Sequence, residues 1–263
     1  MGEILLEAKN VSKIFGGLTA VNEVNMTVHK GDIFGIIGPN GAGKTTFFNM
    51  CTGFYSLSSG SIWFDGDNIT NLPCDKIAHK GIARTFQNIK LFRYMSVLEN
   101  IYIGSHINTK TNVFDAILHT KQYKKDEEYA KEHGMEILKK VGLLPYADTA
   151  AGSLPYGVQR KVEIARALAV NPKMILLDEP AAGMNPKETD SLMDFIKMLN
   201  SEGYTIALIE HDMKFVMNSC NRILVLNFGE KIFEGTAEEV RENPKVKEAY
   251  FGKGIHVNRG VLE

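Results

Sequence analysis

With 263 residues, 44% of them apolar, the chain can bury a full core as one large domain or as a domain carrying a subdomain. A formal net charge of −1 excludes the global basic field by which a chain is drawn to nucleic acid or an anionic membrane. The three cysteines, Cys51, Cys74 and Cys220, form no CxxC or metal-ligand spacing and read as reduced thiols of a cytosolic protein.

The opening stretch "MGEILLEAKN" reads as neither a secretory signal nor a myristoylation site, since position 6 is leucine. The first quarter reads as strands. Val24, Met26 and Val28 alternate with polar residues, and a Gly31-Asp32 turn leads into the apolar run Ile33 to Ile37, which suits a strand buried on both faces. "SIWFDG" is a further short strand. From Met95 to about Val141 the apolar spacing becomes helical, with Gly142 as a stop, and a polar stretch around 105–130 reads as a solvated helical insertion. Strand and helix alternate again from Lys173 through "MILLDE", "PKETDSLMDFIKMLNSEG" and "YTIALIE". Asn185-Pro186 followed by Glu188 predicts a helix start. "RILVLNFGEKIFEG" reads as a hairpin and "TAEEVRENPKVKEAYFG" as a terminal helical pair. Apolar runs such as "IFGIIG" are far shorter than the ~18 residues of a membrane span, so a soluble chain is expected.

Two motifs carry chemistry. "GPNGAGKTT", Gly38 to Thr46, follows a predicted buried strand and matches the phosphate loop G-x-x-x-x-G-K-[ST]. Its glycines let backbone N–H groups close around a β-phosphate; Lys44 neutralises β/γ oxygens and Thr45 offers a hydroxyl to Mg²⁺. At the end of "MILLDEP", Asp178 is placed to reach that metal through water, and Glu179 to orient or deprotonate an attacking water.

Phosphate loop, Gln87 in "ARTFQN", the Gly157 segment, "LLDEP", "AAGMNP" and "IEHDM" occur in an order that resembles ATP-binding cassette proteins over nearly the whole chain. The resemblance implies an α/β fold: a P-loop NTPase core with an N-terminal antiparallel β subdomain and an inserted α-helical subdomain. It implies one domain over 1–263, with the core at 1–87 and 169–235, the helical subdomain at 88–168 and a C-terminal helical tail at 236–263. Two cassettes are expected to pack head to tail, with ATP and Mg²⁺ between the phosphate loop of one and the signature helix of the other. Gly38, Pro39, Asn40, Gly41, Ala42, Gly43, Lys44, Thr45 and Thr46 then hold the nucleotide, and Phe15 resembles the aromatic that stacks on adenine. Glu179, His211 and Gln87 take the catalytic roles, with Thr45, Gln87 and Asp178 around the metal. Leu154, Tyr156, Gly157 and Gln159 hold the partner's nucleotide.

The signature departs from its usual L-S-G-G-Q: Pro155 replaces serine and Val158 a glutamine, while Asn185 stands where many cassettes carry aspartate. A proline donates no N–H, so it is tolerated at the first helical position, where that group has no partner. Attraction for phosphate is left to the helix dipole and to N–H groups such as that of Gly157. Finer likeness in "RTFQNIKLFRYMSVLENI", "YGVQRKVEIARAL" and "LIEHDMKFVM" points to the ATPase subunits of branched-chain amino-acid importers. Urea or amide importers and lipopolysaccharide-export ATPases share much of this text; a soluble cassette without a membrane partner and a non-hydrolysing nucleotide module are the readings from other classes. The importer resemblance implies a second ATPase subunit, integral permease subunits, indirectly a solute-binding protein, no nucleic acid, and a peripheral place on the cytoplasmic face of the membrane. Leu91, Phe92 and Met95, rimmed by Lys90 and Arg93, are expected to face the permease.

Overall fold

The computed structural model describes residues 2–108, 111 and 113–251. They form two compact units, residues 1–87 with 174–263 and residues 88–173. Residues 169–173, which the motif reading places with the core, thus belong to the second unit.

The first unit opens with a long antiparallel pair, β1 (Ile4–Phe15) and β2 (Leu18–His29), followed by β3 (Ile33–Ile37), all of whose residues are buried. Helix α1 (Lys44–Cys51) leaves the phosphate loop and leads to β4 (Ser59–Phe64) and β5 (Asp67–Asn68). Helix α2 (Cys74–His79) and the short β6 (Ile82–Arg84) complete the first segment. β6 gives no period to read in the sequence, because three residues on a sheet edge are too few to alternate.

The second unit holds α3 (Val97–Ser105), α4 (Val113–Ile117), α5 (Lys121–Lys140) and α6 (Tyr156–Leu168). Val97, Ile101, Leu138, Val162, Ile164 and Leu168 are essentially inaccessible in its interior. Helix α3 starts on a capping box in which Ser96 and Glu99 exchange side-chain and backbone bonds. Residues 109, 110 and 112 of the expected solvated insertion lie outside the described residues.

The chain re-enters the first unit with β7 (Met174–Asp178), α7 (Pro186–Ser201), β8 (Thr205–Ile209) and α8 (Met213–Ser219). It ends in the hairpin β9 (Arg222–Asn227) and β10 (Glu230–Gly235) and in helices α9 (Ala237–Glu242) and α10 (Pro244–Phe251). Asn185 caps α7 through a reciprocal pair with Glu188, as the Asn-Pro-x-Glu spacing predicts. The expected C-terminal tail beyond residue 251 lies outside the described residues.

Two sheets result. An antiparallel one runs β2-β1-β4-β5; a six-stranded one runs β10-β9-β3-β8-β7-β6, parallel except for β10. Phe47 and Phe48 of α1 are buried in a core with Val21 and Val24 of β2, Ile36 of β3 and Leu176 of β7. Burying each phenylalanine stabilises by roughly 1.5–3 kcal/mol, which fixes α1 and hence the loop before it. In the parallel sheet both Ile36 and Asp178 pair with Ile209, so β3, β7 and β8 end at one level. Ligands of open parallel sheets bind outside such strand ends. Among the described residues, no helix is long and apolar enough to cross a membrane.

Candidate active site

The loop after β3 is shaped by close approach. A Cβ on Gly38 would stand 2.1 Å from the Leu226 carbonyl oxygen, and one on Gly43 2.5 Å from that of Ala20. Gly43 also has φ +93 and is the N-cap of α1, with no side chain on the first-turn N–H groups. The N–H groups of Lys44, Thr45 and Thr46 have no carbonyl a turn earlier to bond, so the helix presents donors and the positive end of its dipole to the cavity. Lys44 Nζ donates to the carbonyls of Gly38 at 2.7 Å and Pro39 at 3.0 Å. An ammonium has three donors, so one remains for a ligand. Burial lowers the Lys44 pKa and the charge of Glu179 opposes the shift. A hydrogen bond from the Gly38 backbone reaches the phenol of Tyr250 in α10, whose pKa burial pushes up to about 12.

Asn40 to Thr46 line a cavity of about 490 Å³ together with Leu18, Thr19, Ala20, Glu179, His211 and Phe228. All of these residues belong to the first unit. Gly38 and Pro39 form the loop's entry rather than its lining.

Glu179 sits one residue past β7 with φ 46, a conformation costly for a residue with a side chain and most often met where function holds it. Its carboxylate is spanned: Gln87 Nε2 donates to Oε2 at 2.6 Å, and His211 Nε2 lies 2.6 Å from Oε1. The structure thus brings together the three residues expected to be catalytic. Their pieces leave β6, β7 and β8, neighbours in the parallel sheet.

Asp178 is buried, and its Oδ2 accepts from Arg84 Nη2 at 2.7 Å. Arg84 is a residue the motif reading missed. Its other terminal nitrogen donates to Asn49 of α1 at 2.7 Å and to Thr52, the C-cap of that helix, at 2.9 Å, and its guanidinium lies 5.3–5.9 Å from the rings of Phe48, Phe54 and Phe86. One planar fork therefore joins β7 to the helix of the phosphate loop. The signal was an arginine amid apolar residues three positions before Gln87.

Glu210, also missed, is 3% exposed at the end of β8. Its Oε1 accepts the Ala181 N–H at 2.6 Å and its Oε2 the His211 N–H at 3.0 Å, so it clasps the loop after Glu179 to the loop bearing His211. Burial raises its pKa, while these N–H groups and that of Asp212 act in the opposite sense. A carboxylate directly ending the apolar run "YTIALI" was its signal.

The donors expected around Mg²⁺ are an exposed Thr45 hydroxyl, the Gln87 amide and the Asp178 carboxylate, which has one oxygen engaged by Arg84. Among the described residues no cluster of three His, Cys, Asp or Glu could hold a metal. A sparse set of oxygen donors fits a hard cation that keeps waters and is completed by phosphate oxygens.

Phe15 ends β1 half-exposed, with its ring edge-on to Tyr55 at 5.3 Å and the Lys13 ammonium 4.9 Å from its centroid. It does not line the cavity.

In the second unit, Leu154 is buried, Tyr156 exposed and Gly157 half-buried, and Gln159 Nε2 donates back to the Leu154 carbonyl at 2.7 Å. Pro155 is not the first helical residue, as the sequence suggests, but the N-cap before it. Its ψ of 148 is extended, so its carbonyl, which accepts from Val158 and Gln159, is the part that joins the helix. Further along α6, Arg160 and Glu163 form a fully buried pair at 2.8 Å, and Glu163 also accepts the Lys90 N–H at 3.0 Å. The Arg93 and Met95 carbonyls accept from Gly152 and Ala151, just before the signature. Segment 90–95 is thereby bonded at both ends to the signature region, while Phe92 and Tyr94 stay exposed.

The ABC transporter family model matches residues 21–182, and that of the branched-chain amino acid ATP-binding cassette transporter matches residues 230–256. The chain is 46% identical to the high-affinity branched-chain amino acid transport ATP-binding protein BraF of Pseudomonas aeruginosa, over 96% of this chain and 100% of that one. It is 44% identical, with the same coverage, to the corresponding LivG protein of Escherichia coli K12. The ADP conformation of MJ1267, an ATP-binding cassette of an ABC transporter, superposes with a TM-score of 0.83 at 37% identity, over 95% of this chain and 99% of that one. With a family model over more than half of its length and relatives aligned along nearly all of it, the chain belongs to the ABC transporter family, as an ATP-hydrolysing ATP-binding cassette.

Proposed function

We propose that the chain drives import of branched-chain amino acids as a peripheral subunit on the cytoplasmic face of a membrane. In this reading it pairs head to tail with a second cassette and docks on integral permease subunits fed by a solute-binding protein. The reading of the site rests most on one observation: Gln87 and His211 both hold the carboxylate of Glu179, at 2.6 Å each, beside the phosphate loop. The solute assignment is supported by the relatives' names and by the family match at residues 230–256.

Lys44 and the first N–H groups of α1 bind and orient the triphosphate of ATP. Mg²⁺, when bound, would be held by Thr45, Gln87 and Asp178 and would supply further neutralisation of the phosphate oxygens. Glu179 takes the proton of the attacking water, and Gln87 and His211 set the direction of its two oxygens. Because its partners are a side-chain amide and a ring nitrogen on separate loops, a shift of either loop releases one oxygen. Leu154, Tyr156, Gly157 and Gln159 face the nucleotide of the partner cassette. Phe92 and Tyr94 form the docking surface for the permease, and the bonds that their neighbours Arg93 and Met95 accept from Gly152 and Ala151 relay its movement to the signature.

Deleting the gene and following radiolabelled leucine, isoleucine and valine tests the solute. High-affinity uptake of all three should fall to background in a cell with no duplicate system; unchanged uptake would remove the assignment.

A further inference from the structure

The exposed segment before α3 is folded on itself. Met95 N–H donates to the Phe92 carbonyl at 3.1 Å, which closes a β-turn over residues 92–95. Arg93 and Tyr94 form its tip; both are exposed, Tyr94 fully. Asn100 of α3, completely buried, holds the turn from within the unit. Its Oδ1 accepts the Phe92 N–H at 2.9 Å, and its Nδ2 donates to the carbonyls of Phe92 at 3.1 Å and Ser96 at 2.9 Å. One amide side chain thus engages both backbone groups of Phe92, with both of its own N–H groups used.

Asparagine is an odd residue for that place. It lies in α3 between the buried Val97 and Ile101, where leucine would form helix better and an unpaired amide would be costly. Its bond to the Ser96 carbonyl, one helical turn back, is one that a serine can make as well. What asparagine adds is the grip on Phe92. Glu163, Gly152 and Ala151 tie Lys90, Arg93 and Met95 in their turn. A turn held at these four residues has little freedom left to lose when a partner closes on it, and such preorganisation favours binding.

We propose that Asn100 is a positioning residue for coupling: it holds the turn in one shape, so that Phe92 and Tyr94 are presented ready-made to the permease. This rests on the reading of the two aromatics as the docking surface. The test is the affinity of the purified full chain for permease subunits in nanodiscs, with ATP affinity measured on the same samples. Asn100→Ser keeps a donor for the Ser96 carbonyl but is too short to reach Phe92. It should bind the permease roughly tenfold more weakly, with ATP affinity unchanged. In a background of Phe92→Ala with Tyr94→Ala, the serine substitution should cost nothing further, because Asn100 acts only through the turn. Unchanged permease affinity in Asn100→Ser, a parallel loss of ATP affinity, or an equal further loss in the double-alanine background would overturn the proposal. Hydrogen exchange of the free wild-type chain tests it without a variant: the Phe92 N–H should exchange slowly although its residue is exposed, and unprotected exchange would also overturn it. If the double-alanine chain itself binds the permease normally, the docking reading falls, and the proposal with it.

Discussion

Arg84 shows how one side chain can hold two motifs in register. Its fork serves Asp178 with one nitrogen and Asn49 and Thr52 with the other, inside a cage of three aromatic rings. The ion pair is buried, with side-chain exposures of 9% and 7%. Removing one partner from such a pair leaves an uncompensated charge, so Arg84→Met should lower the unfolding free energy by about 3–5 kcal/mol in urea titration of the full chain. Arg84→Lys keeps the charge but not the fork, and should recover only part of that loss. Full recovery would show that charge alone is needed. Glu210 gives a prediction in pH. Its pKa is raised from 4.5, so over the range just above that value the folded chain binds more proton than the unfolded one. Stability from this group is then present at the acid end and declines as pH rises through the raised pKa. Glu210→Gln cannot titrate, so the stability difference between wild type and variant should narrow with rising pH in that range. A constant difference would mean that the carboxyl is not titrating there. Both residues were hard to read because their roles depend on partners far away in sequence: 94 positions for Arg84 and Asp178, 29 for Glu210 and Ala181. Gln87, Glu179 and His211 were legible because their spacing along the chain matches a known order of motifs.

Among elements, those with a strong local signal emerged where the sequence placed them. β3, β7 and β8 are built on apolar runs, and all are buried throughout. The start of α7 at Pro186 is dictated by its cap and proline. The short β6 carried no such signal, and its place comes from pairing with β7. Pro155 was read one position late, because proline suits both the cap and the first turn and only its extended ψ decides. As the N-cap of α6, Pro155 offers no side-chain acceptor. Pro155→Ser would supply one and should stabilise the helix start by about 1 kcal/mol in thermal or urea unfolding. Turnover of the assembled transporter should be kept in this variant and lost in Gly157→Val, where a branched side chain stands over the helix end. Normal turnover of the valine variant would make the segment structural rather than a phosphate clamp.

At the scale of the whole molecule, the division of labour follows the two units. The first contains every residue lining the cavity. The second presents the signature and an exposed segment bonded to it through Arg93 and Met95. Neither half accounts for a transport cycle by itself, which is why the partner cassette and permease enter as part of the proposal. Its central claim is that Glu179 is the base for ATP hydrolysis, and the most direct test is Glu179→Gln in the assembled transporter, with ATP binding and phosphate release measured on the same sample. The amide keeps the shape of the side chain but cannot take a proton. ATP affinity should stay within a few-fold of wild type while phosphate release slows by about 10²–10⁴-fold. Phosphate release at the wild-type rate would contradict the account.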